Sequence, residues 1–246
     1  MLEGKTAVIT GCLTGIGRTT LDKFAENHAN IVACSYAKTD EFENHIEELK
    51  SKFGVEIYPV YFDMRDDNSV KEAAHQIQKL KLKIDALINI AGVAEDALFQ
   101  MITKEQMLDT FQINFFSQII FTQYIVRMMQ RTGGGSIVFT TSITGEDGNR
   151  GQLVYGATKA ALIEAAKTMS EELGPLGFKV NAVAPGIFDT PMFDNVPSEV
   201  IDRILAKSCM KRKGLKEEVA DVYMFLTSEL SSYVTGQVIR VDGGVK

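Results

Sequence analysis

The 246-residue sequence has only three cysteines and three histidines. Cys12, Cys34 and Cys209 are scattered and odd in number, with no CxxC pair and no histidine at ligand spacing, so neither a zinc centre nor a disulfide framework is expected. They read as buried or inert thiols, and the dispersed His28, His45 and His75 read as ordinary helical or surface residues. Positive charge is also scarce, since 26 Lys and Arg face 32 Asp and Glu for a formal net charge of -6. That balance is the reverse of a phosphate-backbone footprint and excludes nucleic acid as the expected partner. The short runs KLKLK (Lys79 to Lys83) and KRK (Lys211 to Lys213) read as solvent-facing or pocket-rim groups. No apolar run approaches bilayer length, and no basic segment followed by an apolar stretch opens the chain. A cytoplasmic protein without a membrane partner is therefore expected.

What is present is an alternation of apolar runs and amphipathic stretches. TAVIT, IVACS, IYPVYFD, DALINIAG, SIVFTTS, KVNAVAPG and QVIRVDG read as seven strands. RTTLDKFAENH, FENHIEELKSKF, SVKEAAHQIQKL, the long EQMLDTFQINFFSQIIFTQYIVRMMQ and the segment around YGATKAALIEAAKTM read as helices. Strands separated by helices require crossovers, which gives an α/β fold: a Rossmann-type, doubly wound, mostly parallel sheet with helices on both faces. No linker or low-complexity segment divides residues 1–246, so one domain is expected. Residues 188–210 break the alternation and are expected to cover a substrate.

Two stretches carry chemistry. In TGCLTGIGR, Gly11, Gly15 and Gly17 lie between the first strand and the first helix, where backbone N–H groups can meet phosphate oxygens. The spacing departs from G-x-G-x-x-G, and the lysine of nucleoside triphosphatase phosphate loops is missing. At the end of the second strand, CSYAKTD places Ser35 and Tyr36 in the ribose region with Lys38 as a nearby positive charge. This favours NADP(H); the proximity of Asp40 and the lack of an arginine leave NAD(H) open. Further on, Tyr155 and Lys159 are four residues apart and share a helix face. An ammonium there is expected to favour the phenolate and lower the tyrosine pKa from its usual value of about 10. Glu146 and Asp147 read as a solvated acidic turn, and Glu171 and Glu172 as the polar side of the tyrosine helix. Neither pair calls for a metal.

The glycine turn, DM at Asp63 and Met64, NIAG from Asn89 to Gly92, Asn114 in QINFF, Ser142, YGATK, NAVAPGIFDTPM and TGQVIRVDGG together resemble the short-chain dehydrogenase/reductase family. The likeness covers nearly the whole chain and is strongest toward 3-oxoacyl-(acyl-carrier-protein) reductases. It implies hydride transfer between a nicotinamide cofactor and a carbonyl or alcohol, with Asn114, Ser142, Tyr155 and Lys159 as catalytic tetrad. It also implies that Gly11, Thr14, Gly15, Ile16 and Gly17 surround the pyrophosphate, and that Asp63 and Met64 lie near the adenine. Asn89, Ile90, Ala91 and Gly92 would run along the cofactor, with Pro185, Gly186, Ile187 and Thr190 beside the nicotinamide. Tyr155 would act as general acid, Ser142 would orient the substrate oxygen, and Lys159 would bond the nicotinamide ribose. Asn114 would organise the helix backbone and a water leading to Lys159.

The sequence departs from the family at Thr14, where many relatives have arginine, at Ile90 within the NNAG pattern, and at Leu176, where an arginine docks the acyl-carrier protein. Lys179, Arg150 and the KRK run are the groups available to replace that charge. The expected substrate is a 3-oxoacyl thioester or a similarly sized carbonyl, the alternative being a sugar, steroid or other secondary alcohol with NAD(H). A homotetramer is implied by the resemblance and by the excess apolar surface of the long helices.

Overall fold

The computed structural model describes residues 1–190 and 198–245. β1 (Thr6–Thr10), β2 (Asn30–Ser35), β3 (Ile57–Tyr61), β4 (Ala86–Asn89), β5 (Gly135–Thr140), β6 (Phe178–Pro185) and β7 (Val238–Val241) form one sheet. All pairings are parallel, in the order β3-β2-β1-β4-β5-β6-β7. Side chains alternate across the sheet. Ala7 and Ile9 of β1 pack with helices α1 (Gly15–Glu26), α2 (Asp40–Phe53) and α9 (Lys216–Thr227) through Phe24, Phe42 and Tyr223. Val8 packs on the opposite face with α3 (Asp67–Lys79), α5 (Ser117–Met129) and α7 (Leu153–Leu173) through Ile77, Phe121 and Leu162. Burial on both faces is why the strands read as unbroken apolar runs.

Val8 pairs with Val32 of β2 on one side and with Leu87 of β4 on the other. The winding direction therefore reverses beside β1, and a crevice opens at the carboxyl ends of the strands there.

Two features depart from the sequence reading. The expected single helix over Glu105 to Gln130 is α4 (Lys104–Phe111) and α5 joined by five π-helical residues, Gln112–Phe116. The wider turn occurs where the Asn114 side chain leaves the helix to bond the Val93 backbone. Helix α9 is not evident from the sequence pattern, yet a parallel β6–β7 pair needs a crossover, and α9 with α8 (Ser198–Leu205) supplies one. Part of the expected cover, residues 191–197, lies outside the described residues. Among the described residues, no helix is long and apolar enough to cross a membrane.

Candidate active site

A cavity of about 1630 Å³ follows the carboxyl ends of the central strands. This exceeds the roughly 300–1,000 Å³ of a pocket for one small ligand and leaves room for a dinucleotide with a substrate. Its walls bring together Gly11, Thr14, Gly15, Ile16 and Gly17, then Ser35 and Tyr36 at the end of β2, and Asp63 and Met64 after β3. Ile90, Ala91 and Gly92 follow β4, Ser142 follows β5, Tyr155 and Lys159 come from α7, and Pro185, Gly186, Ile187 and Thr190 close the far side.

Three expected residues are not in these walls. Asn89 is fully buried, with Nδ2 donating to Thr122 Oγ1 at 3.1 Å. Asn114 stands behind the wall; Oδ1 accepts from Val93 N and Nδ2 donates to Val93 O, both at 2.8 Å. Its Nδ2 also reaches Thr158 Oγ1 at 3.2 Å, so its link to Lys159 runs through the neighbouring residue of α7. Lys38, expected to supply positive charge near the ribose region, is exposed and paired. Its ammonium lies 3.3 Å from Glu43, whose carboxylate also accepts the Tyr61 hydroxyl.

At the nucleotide end, Gly11 has φ 77°, and a Cβ there would lie 3.0 Å from Cα and N of Ala91. The turn is thus pressed against the wall that follows β4. Gly11→Ala combines left-handed backbone strain with that contact, and is expected to cost about 1–3 kcal/mol. A lowered melting temperature together with weakened cofactor binding would verify this; unchanged values of both would refute it.

At the other end, Tyr155 and Lys159 stand on successive turns of α7, and the ammonium lies 5.6 Å from the phenol ring centre. Lys159 is nearly sealed from solvent and donates from Nζ to Thr140 O at 2.8 Å. Burial lowers its pKa from 10.5 to about 8. Tyr155 is pushed up to about 12, chiefly by burial; the Ser142 hydroxyl acts in the opposite sense and the Asp96 carboxylate adds to the rise. The shift is thus opposite in direction to the lowering expected from Lys159, and loss of hydration is its chief cause. The phenol is held in its acid form at neutral pH. Ser142 Oγ accepts from Thr144 N at 3.1 Å, which fixes it at the start of α6 (Thr144–Asp147).

Several residues the sequence reading passed over shape this end. Gln152 Nε2 donates to both Asp96 oxygens at 3.1 and 3.2 Å, while Oε1 accepts from Thr144 and Asn149, both at 3.0 Å. One amide so ties the loop after β4 to the loop after β5. Glu146 and Asp147 are not simply solvated. Arg240 of β7 donates to both Asp147 oxygens at 2.9 and 2.7 Å and lies 3.6 Å from Glu146. The cations named as substitutes for the docking arginine are mostly engaged. Lys179 bonds Ser228 O and Ser231 Oγ, Arg212 pairs with Glu218, and Lys213 pairs with Asp189. Arg150 lines the cavity and has no ion-pair partner among the described residues. Cys12 and Cys34 are buried, which raises both thiol pKa values and leaves them protonated.

A parallel sheet of this order, with a glycine turn and a tyrosine–lysine helix sharing one crevice, defines a dinucleotide-type α/β oxidoreductase fold. Residues 11–246 match a family model described as Enoyl-(Acyl carrier protein) reductase. The 3-oxoacyl-(acyl-carrier-protein) reductase of Thermotoga maritima is 37% identical over 99% of this chain and 98% of its own length. A 3-oxoacyl-(acyl-carrier protein) reductase structure from Brucella melitensis is 30% identical with a TM-score of 0.91, covering 99% of this chain and 91% of that one. L-sorbose reductase from Gluconobacter frateurii, complexed with NADPH and L-sorbose, is 28% identical with a TM-score of 0.92, over 99% and 97% of the two chains. The chain belongs to the short-chain dehydrogenase/reductase family and is an NAD(P)-dependent oxidoreductase closely related to the 3-oxoacyl-(acyl-carrier-protein) reductases.

Proposed function

We propose that the protein reduces the ketone of a 3-oxoacyl thioester with NADPH. The observation that carries this reading is the meeting of Ser142, Tyr155 and Lys159 at one end of a cavity whose other end is the glycine turn. The walls fit a dinucleotide: α1 starts at Gly15 beside the turn, so its free N–H groups face the space a pyrophosphate needs. When bound, the cofactor supplies hydride to the carbonyl carbon. Tyr155 gives its proton to the oxygen as charge develops there, and Ser142 hydrogen-bonds the same oxygen. Lys159 holds positive charge beneath the phenol and is the group suited to the nicotinamide ribose hydroxyls. Asn114 acts on the backbone at Val93 and on Thr158. The uncharged Ser35 and Tyr36 at the end of β2 suit the additional phosphate of NADP better than an acidic residue would.

Phe188, Thr190, Ile204 and Lys207 in the cavity wall support the reading of residues 188–210 as a substrate cover within a single domain. The exposed Leu108 and Phe116, on α4 and at the end of the π-helical turn, support association into a homotetramer.

A second reading is oxidation of a sugar, steroid or other secondary alcohol with NAD(H). It is favoured by the engagement of Lys179, Arg212 and Lys213, which leaves little free charge for an acyl-carrier protein. Rates with 3-oxoacyl thioesters, ketoses and steroids, each with NADPH and NADH, separate the two. Robust 3-oxoacyl reduction with NADPH is expected. Activity confined to NAD(H) and polyols would overturn the first reading.

A further inference from the structure

We propose that Gln118 is a positioning residue for the cofactor-facing wall between the glycine turn and Lys159, its amide fixing the Ala91 carbonyl in that wall. The inference rests on the cofactor reading above. Gln118 is the second residue of α5 and is fully buried, and its Nε2 donates to Ala91 O at 2.8 Å. Because a carbonyl can only accept, the amide nitrogen must be the atom that faces it. Four residues earlier, across the π turn, Asn114 takes both backbone groups of Val93. From the opposite side, Thr10 Oγ1 accepts from Ile90 N at 2.9 Å and Ala91 N at 3.1 Å. The backbone from Ile90 to Val93 is so held between β1 and the α4–α5 helix, with Gln118 supplying the one described partner of the Ala91 carbonyl.

Close neighbours make that position matter. Ala91 touches the Gly11 turn on one flank. On the other, a Cβ at Gly92 would lie 3.1 Å from Asn114 Oδ1 and 3.4 Å from Lys159 Nζ. A small displacement of the Ala91–Gly92 peptide therefore reaches the phosphate turn and the catalytic ammonium together. Gln118 is also a poor core-filler in its own right, since its Oε1 has no hydrogen-bond donor among the described residues. An apolar side chain of similar shape would not carry that cost. Its polar contribution is concentrated in the single bond to the wall.

Gln118→Met keeps the volume and removes the donor, whereas Gln118→Glu keeps a donor only while the new carboxyl is protonated. Cofactor affinity is to be read from nicotinamide fluorescence with NADPH, beside the melting temperature and kcat, for the unaltered protein and both variants. The methionine variant is expected to bind about tenfold more weakly, the loss of one hydrogen bond to a buried carbonyl, and to turn over more slowly. The glutamate variant is expected to match the unaltered protein at acidic pH and to weaken against it as the pH rises. If the methionine variant keeps its affinity and kcat while only the melting temperature falls, the positioning role is overturned. A glutamate variant whose affinity relative to the unaltered protein does not change with pH overturns it equally, and this comparison stands alone should the methionine variant not fold. Failure of the unaltered protein to bind either nicotinamide cofactor would overturn the cofactor reading itself.

Discussion

Tyr155→Phe is expected to lower kcat for carbonyl reduction by about 10²–10⁴-fold, the range for loss of a positioned general acid. The pKa of about 12 means that the phenol carries its proton throughout the neutral range, as the proposed proton transfer to the alkoxide requires. Phenylalanine keeps the ring in its nearly closed environment on α7, so the melting temperature and cofactor affinity should change little. In the oxidation direction the phenol must first lose that proton, and the rate should climb as the pH rises toward its pKa. Monitoring NADPH absorbance under single-turnover conditions isolates the chemical step. A variant within a factor of about two of the unaltered enzyme would remove Tyr155 from the proton path and with it the mechanism.

The strands were readable because both faces of the sheet are buried, which turns each into a compact apolar run with little ambiguity. TAVIT at Thr6–Thr10 is the clearest case, with Ala7 and Ile9 in one core and Val8 in the other. Helix α9 was not readable: in KEEVADVYMFLT the charged start gives way to an apolar run that shows no single stripe, and only the sheet topology demands a helix there. The π turn was hidden for another reason. Its cause is a bond between Asn114 and Val93, 21 residues away, and no local pattern records it.

The same division holds for the site. The proximity of Tyr155 to Lys159, and of Gly11 to Gly15 and Gly17, was readable because the first pair stands on successive turns of one helix and the glycines span one strand-to-helix junction. The pairing of Lys38 was not readable, because proximity in sequence gives no direction, and Glu43, one turn into α2, lies 3.3 Å from its ammonium. The strap from Gln152 to Asp96 spans 56 residues, and the bonds from Arg240 to Asp147 span 93. Such contacts come from loops gathered at the same sheet edge, and their residue types alone look like any solvent-facing polar side chains. The sign of the Tyr155 shift was also beyond the sequence. It depends on how completely the phenol is desolvated, and burial is the chief cause of the rise, with the Ser142 hydroxyl opposing it.

Lys159→Met is expected to lower kcat by about a hundredfold or more while leaving the melting temperature within a few degrees, because its two stability terms nearly cancel. Holding the ammonium in its buried position, with the pKa lowered from 10.5 to about 8, costs about 3 kcal/mol at neutral pH. That is the net cost with the hydrogen bond to Thr140 O in place, and leaving this buried carbonyl without its donor costs about 1–3 kcal/mol in the variant. Methionine removes both the cost and the bond, and fills a similar volume. The pH dependence gives an independent check. The folded protein releases this proton near pH 8 and the unfolded chain only near 10.5, so the unfolded state binds more protons between these values. Stability conferred by this position therefore rises with pH across that window and is least below it. Subtracting the variant's melting temperatures from those of the unaltered protein should give a difference that increases from pH 8 to pH 10. Reductase activity of the unaltered enzyme should fall over the same range as the ammonium discharges. A variant that retains full activity, or a difference in melting temperature flat across that range, would show that Lys159 neither bears the charge nor sits in the environment assigned to it.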